Sequence, residues 1–152
     1  MDGQAVKHQL LKYCESFADQ RIAVATQAMN NAQKAANDEE KSSAGDKYET
    51  GRAMMQLERD NAALQIEEGA KLKQALVQIN NTYRHDRAVL GSLVITKNNT
   101  IFLAIGIGKV VVENSEYLII APQSPLGKAI ANKSVGDNFS FNGKEQVILK
   151  IY

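Results

Sequence analysis

A run of helix-forming sequence from Gln4 to about Asn80, without a single proline, limits this chain's fold more than any other feature. Alanine, glutamine, lysine, glutamate and leucine dominate it, all residues of high helix propensity. Apolar or small residues recur at Leu11, Cys14, Ala18, Ile22, Ala25, Met29, Ala32 and Ala36, in steps of three or four. That spacing draws one stripe along a helix and predicts the seam of an antiparallel hairpin or coiled coil. A partner stripe runs through Ala62, Ile66, Gly69, Leu72 or Lys73, Leu76 and Ile79. Glycine inside a helix costs about 1 kcal/mol relative to alanine, so Gly69 predicts a close approach of the two backbones. The seam thins from leucine and phenylalanine near its base to alanine near Asn37, which predicts a narrow distal end. A first helix of roughly 37 residues would be about 55 Å long and is expected to project from the rest of the chain.

Between the two helical segments lies the acidic stretch Asn37-Asp38-Glu39-Glu40-Lys41-Ser42-Ser43-Ala44-Gly45-Asp46-Lys47-Tyr48-Glu49. Ser42 to Asp46 reads as a turn, with Gly45 able to take positive φ and Asp46 suited to N-cap the second helix. Glu49, three residues on, has the spacing of a capping box, and helix capping is the ordinary reading of such a pair. Asp38, Glu39 and Glu40 close the preceding helix, where negative charge opposes the macrodipole. Charge placed against the dipole points to an external cation or partner.

From Arg87 to Tyr152 the composition shifts to Val, Ile, Leu and Phe with Gly and Asn punctuation, the mark of short strands. Strands are expected at Ser92–Thr96, Ile101–Ile105, Lys109–Val112, Tyr117–Ile120, Asn138–Phe141 and Glu145–Ile151, with hairpin signals at Asn98-Asn99 and Asn142-Gly143. Ser124 followed by Pro125 has the order of an N-cap and first helical residue, so a short helix is expected between the fourth and fifth strands. The fold class is therefore α+β: an N-terminal antiparallel helical hairpin over residues 1–80 with an acidic tip, then a small antiparallel sheet with one short helix over 84–152. The boundary falls at the polar stretch Asn80-Asn81-Thr82.

Charge is balanced over the 152 residues, 18 basic against 17 acidic, so no sequence-wide footprint of a polyanion binder exists and any electrostatic function must be local. The lone cysteine, Cys14, lies on the apolar stripe and reads as core. With a polar N-terminus and no bilayer-length apolar run, the expected setting is reducing and cytoplasmic, with no membrane partner. His8 and His85 lack ligand-spaced neighbours, which argues against zinc. Gly106-Ile107-Gly108-Lys109 lacks the spacing of a phosphate loop and reads as a turn. Lys34, Lys41, Lys47, Arg52 and Arg59 read as a solvated helix face before they read as an RNA contact.

Ser124-Pro125-Leu126-Gly127-Lys128-Ala129-Ile130, with Asn132-Lys133-Ser134-Val135-Gly136-Asp137 and the terminal Leu149-Lys150-Ile151-Tyr152, resembles the C-terminal domain of the bacterial Gre transcript-cleavage factors. Gly45-Asp46-Lys47-Tyr48-Glu49 is similar to their coiled-coil tip, whose pattern is Gly-Asp-x-x-Glu-Asn. The resemblance implies an FKBP-like domain that docks on RNA polymerase and a coiled coil that enters the enzyme's secondary channel. It implies a Mg²⁺ ion shared with the polymerase active centre, Asp46 facing the metal and Glu49 orienting the ion and its water. The nascent RNA 3′ end of a backtracked transcript would be cleaved, by a nuclease activity that belongs to the polymerase rather than to this chain. Ser124, Pro125, Leu126 and Lys128 match the polymerase-docking segment, and the implied state is a monomer. Thr50 stands where the family has Asn, and Gly51-Arg52-Ala53 departs from its usual continuation. A Gre-like channel binder that inhibits without cleavage is the alternative, and an FKBP-like isomerase or chaperone, with few aromatic residues to line a pocket, is a third.

Overall fold

Two helices open the chain: α1 over Gly3–Lys41, 39 residues, and α2 over Gly45–Val77, 33 residues. The computed structural model describes residues 2–41 and 45–152, with the side chains of 39–41 and 45–48 outside that description. The expected turn at Ser42, Ser43 and Ala44 lies outside the described residues. After α2 come β1 (Leu93–Thr96), β2 (Thr100–Leu103), β3 (Gly108–Val112), β4 (Ser115–Ile120), α3 (Pro125–Ile130), β5 (Asn138–Phe141) and β6 (Lys144–Ile151). The α+β class, the hairpin, the sheet and the short helix all appear in the expected order. Two compact units result, one of residues 1–15 with 74–152 and one of residues 16–73. Both units divide within the long helices, while the polar stretch at Asn80 forms a local turn. There the Asn80 side-chain oxygen accepts from the Thr82 amide at 3.0 Å and its hydroxyl at 2.7 Å. An aspartate-like turn of this kind competes with helical bonding and ends the run.

The hairpin unit is held by small residues. Ala18, Ala25, Ala32 and Ala62 are all buried, and Ile22, Met29 and Ile66 are partly so. The antiparallel register is fixed by cross-helix pairs: Lys73 bonds Asp19 at 2.7 Å, Arg21 bonds Gln65 at 2.9 and 3.2 Å, and Arg59 bonds Gln33. Gly69 is the closest approach. A Cβ built there would lie 2.5 Å from Ile22 Cγ1 and 3.6 Å from the Ala18 carbonyl oxygen. The glycine therefore trades its helix-propensity cost for helix proximity.

The sheet has six strands in the order β3-β4-β2-β1-β6-β5. Every pair is antiparallel except β2 with β4, where Ile101, Phe102 and Leu103 face Leu118, Ile119 and Ile120 in parallel. The expected antiparallel sheet is present, with one parallel pair within it. The β3–β4 hairpin swings outward and returns β4, rather than β3, to the side of β2. One face packs α3: Val94, Ile101, Leu103, Leu126, Ile130 and Ile148 form its buried core. On the other face the registered row Leu93, Phe102, Ile119 is fully buried. Leu10, Leu11 and Cys14 of α1, Leu76 of α2 and Ile79 just past its end are buried within the same unit. Each such side chain contributes about 1.5–3 kcal/mol.

Two hairpins turn through positive φ at both central residues, Asn142-Gly143 (51° and 74°) as expected, and Glu113-Asn114 (49° and 64°) without the usual sequence signal. Asn114 tolerates the left-handed region; Glu113 is held there by the β3–β4 ladder around it.

The sheet unit also contains a fully buried cation. Lys7, on the second turn of α1, has no exposed surface. Its Nζ donates to the Tyr83 carbonyl at 2.7 Å and lies 3.2 Å from His85 Nδ1. None of the ion pairs among the described residues involves it. Burial lowers its pKa to about 8. Burial, then the Lys7 charge, also lowers that of His85, opposed by a hydrogen bond to the Tyr152 backbone and by Asp86. Nδ1 must therefore act as the acceptor, with the imidazole neutral and its proton on Nε2.

Two outcomes follow from this packing. Gly69→Leu is expected to destabilise the hairpin by about 1–3 kcal/mol, read as a lower midpoint in urea, because the added side chain meets Ile22 at a seam with no free volume. For Lys7 the folded chain releases its proton above about pH 8, whereas the unfolded chain holds it to about 10.4. Stability from this group therefore rises with pH across that window and is lost as pH falls through 8. Lys7→Met removes the buried charge and is expected to raise the melting temperature at pH 7. That gain should shrink on the order of 2 kcal/mol between pH 8 and 10; a pH-independent difference would rule out a buried ammonium.

Candidate functional site

The first helical residue of α2 is Gly45, two positions earlier than the capping pattern predicts. Asp46 is then the second helical residue and Glu49 the fifth. The backbone of Asp46 therefore lies inside the first turn of α2, while the expected cap and capping box depend on a side chain outside the described residues. Acid near a helix N-terminus is still favoured by the dipole, which suits Asp46 to its place. The Asp46 side chain lies outside the described residues. Glu49 is exposed, and positions 46 and 49 share one face of α2 by their spacing of three. Thr50 and Arg52 are exposed as well.

A magnesium ion favours carboxylate oxygen and takes one or two such ligands beside water and phosphate. An exposed Glu49 one turn from Asp46 fits the role of partial ligand set completed elsewhere. Among the described residues, no three His, Cys, Asp or Glu side chains gather at metal-binding distance.

The basic residues near this end of the hairpin separate by role. Arg59 donates both to Gln33 across the seam and to Gln56 on its own helix. It is a strap between the helices rather than a cation held out for phosphate. Side-chain pairs at a spacing of four recur along both helices, the Nε2 of Gln27 donating to Asn31, of Gln33 to Asn37 and of Gln56 to the Asp60 carboxylate.

The second candidate segment begins α3. Ser124 is its N-cap, with φ −65° and ψ 160°, its Oγ accepting from the Gly127 amide at 3.1 Å and donating to the Ala121 carbonyl at 2.7 Å. Pro125 follows at the first helical position, where a missing N–H is no loss. Leu126 points into the sheet core and is 7% exposed. Pro125 and Lys128 are exposed. Of the four residues matched to a docking segment, then, two reach solvent, one caps the helix and one is core. Gly127, not singled out in the sequence, is what lets the helix start here. A Cβ on it would lie 2.5 Å from the Ala121 oxygen and 2.6 Å from the Pro122 oxygen. Its signal was its position three residues after the cap.

The remaining chemistry-bearing groups are internal. Cys14 is fully buried, and burial beside Glu15 pushes its thiol up to about 12, so it is unreactive. Phe102, Tyr117 and Phe139 are buried within the fold rather than exposed along a cleft. No helix among the described residues is long and apolar enough to cross a membrane.

No family model matches this sequence, and no curated protein matches it either. Among solved structures, the chain is similar to the GreA factor homolog 1 (Gfh1) protein of Thermus thermophilus, at 18% identity, over 99% of this chain and 94% of that one, with a TM-score of 0.35. A structure of the transcription factor Gfh1 is similar at 17% identity, over 99% and 93% of the two chains, also with a TM-score of 0.35. Superpositions this loose align no side chains, and no residue role is taken from them.

Proposed function

We propose that this chain is a Gre-like factor of RNA polymerase, docking through its sheet unit and entering the secondary channel with its helical hairpin. Its carboxylates then stimulate cleavage of backtracked transcripts by the polymerase, the nuclease activity being the polymerase's own. The observation that carries this reading is the location of Gly45-Asp46-x-x-Glu49. It opens α2, the second of two helices of 39 and 33 residues, and its spacing of three sets both carboxylates on one helical face. Asp46 and Glu49 would hold a Mg²⁺ ion shared with the polymerase active centre. When bound, such an ion generates and orients the attacking water. The residues of this chain present oxygen ligands on one helical face, and the nascent RNA 3′ end supplies the substrate.

Inhibition without cleavage is the second reading. Thr50 in place of asparagine and the added acids Asp38, Glu39 and Glu40 favour it. A single assay separates the two: stalled, backtracked polymerase with Mg²⁺, with the wild-type chain, Asp46→Ala or Glu49→Ala. Stimulation by the wild type is expected, with a loss of tenfold or more (about 1.4 kcal/mol) in each variant and polymerase binding retained. Tight binding with no stimulation supports the inhibitor; absence of binding removes both readings.

Docking is expected to fall on the exposed part of α3. Lys128→Glu should weaken polymerase binding about three- to tenfold while leaving the melting temperature within a degree or two. Leu126→Ala should instead lower stability by about 2–4 kcal/mol, because it empties a core position. An unchanged affinity in Lys128→Glu would move docking away from α3.

A further inference from the structure

Along one side of the hairpin unit runs an open groove of about 680 Å³. Phe17, Val24, Ala25 and Ala28 of α1 and Ala62 of α2 form its apolar floor and wall. Val24, on its wall, is 64% exposed. Met54, Leu57 and Leu64 are further exposed apolar side chains of α2, at helical spacing with the groove-lining Asn61. A pair of helices with a wet apolar trough between them is half of a four-helix arrangement.

The charges in the groove indicate what fills it. Arg21 and Glu58 both line it, and neither makes an ion pair among the described residues. Arg21 is oriented by two bonds to Gln65, which leave its charge uncompensated. The pairing of Arg59 with Gln33 puts Glu58 near the level of Gln33, so the cation and the anion stand on the order of 20 Å apart along the hairpin. Val24, Ala25 and Ala28 lie between them. A positive end, an apolar middle and a negative end form a surface that complements its own two-fold image. Turning a second copy about an axis near Ala28 sets each Arg21 against the other copy's Glu58 and apolar middle against apolar middle. Gln20, Asn61 and Gln65 at the edges carry amides, which both donate and accept and so also match their own images.

We infer that the free chain self-associates through this groove, two hairpins packing antiparallel about a two-fold axis near Ala28. The state replaces the expected monomer when no larger partner is present, and it does not rest on the polymerase reading.

Sedimentation of the full chain from 1 to 100 µM tests it, with circular dichroism confirming helicity of every variant. A reversible dimer is expected for the wild type and a monomer for Val24→Asp, which would bury facing carboxylates near the axis. Arg21→Glu and Glu58→Arg should each weaken association about tenfold, and the double variant should return it to within about threefold of wild type. Ala28→Cys should form a cross-chain disulfide under mild oxidation while the wild type, whose only thiol is buried, does not. A wild type that stays monomeric at 100 µM overturns the inference. So does a double variant no better than the single ones, and so does a groove that binds an added amphipathic helix while the chain stays monomeric.

Discussion

Separation of the two long helices is governed by side-chain size along one seam, and most of the hairpin unit depends on it. Ala18, Ala25, Ala32, Ala62 and Gly69 are buried there, and at Gly69 not even a Cβ fits. Small residues bury little apolar area, so this seam yields far less free energy per residue than the leucine-rich bases of the same helices. Polar straps make up the register that hydrophobic bulk would otherwise set: Lys73 with Asp19, Arg21 with Gln65, Arg59 with Gln33. A slender hairpin keyed by polar pairs is suited to entering a confined space, which is the property the proposed function needs. The thin seam also leaves apolar surface uncovered at its edge, and the groove beside Val24 is the consequence.

The sheet unit solves the opposite problem. It buries large side chains on each face of its strands, Val94 and Ile101 on one, Leu93 and Phe102 on the other. Into this it takes a lysine with a carbonyl and an imidazole for partners in place of a carboxylate. Burying an ammonium on those terms lowers its pKa and ties the state of His85 to it, so a stretch of α1, the connector at Tyr83–His85 and the end of the chain share one electrostatic environment.

Legibility of the fold tracked how local each signal was. The stripe from Leu11 to Ala36 and its partner from Ala62 to Ile79 were readable because helical periodicity is local, and all the named positions except Lys73 are buried or partly buried. Asn142-Gly143 announced its turn through residues that tolerate positive φ; Glu113-Asn114 did not, because there the flanking ladder imposes the turn on a residue that resists it. Parallel pairing of β2 with β4 left no mark, since a strand's neighbour is chosen by a contact distant in sequence. At the candidate sites the residue types were legible and their exposure was not. Leu126 and Lys128 look equally available in a string of letters, yet one closes the core and the other faces water.

The sequence by itself determined the two long helices, the six strands, the short capped helix and the location of an acidic motif at the break between the helices. Each rests on periodicity or on chemistry within a few residues. Tertiary structure alone decided that the backbone of Asp46 lies within the first turn of α2, because the helix begins one residue before the cap that spacing implied. It alone decided that Lys7 is buried, that β4 intervenes between β2 and β3, and that an apolar groove with opposite charges at its ends remains open along the hairpin. These depend on which distant surfaces meet, and the free energy of that meeting is not carried by any short stretch of chain.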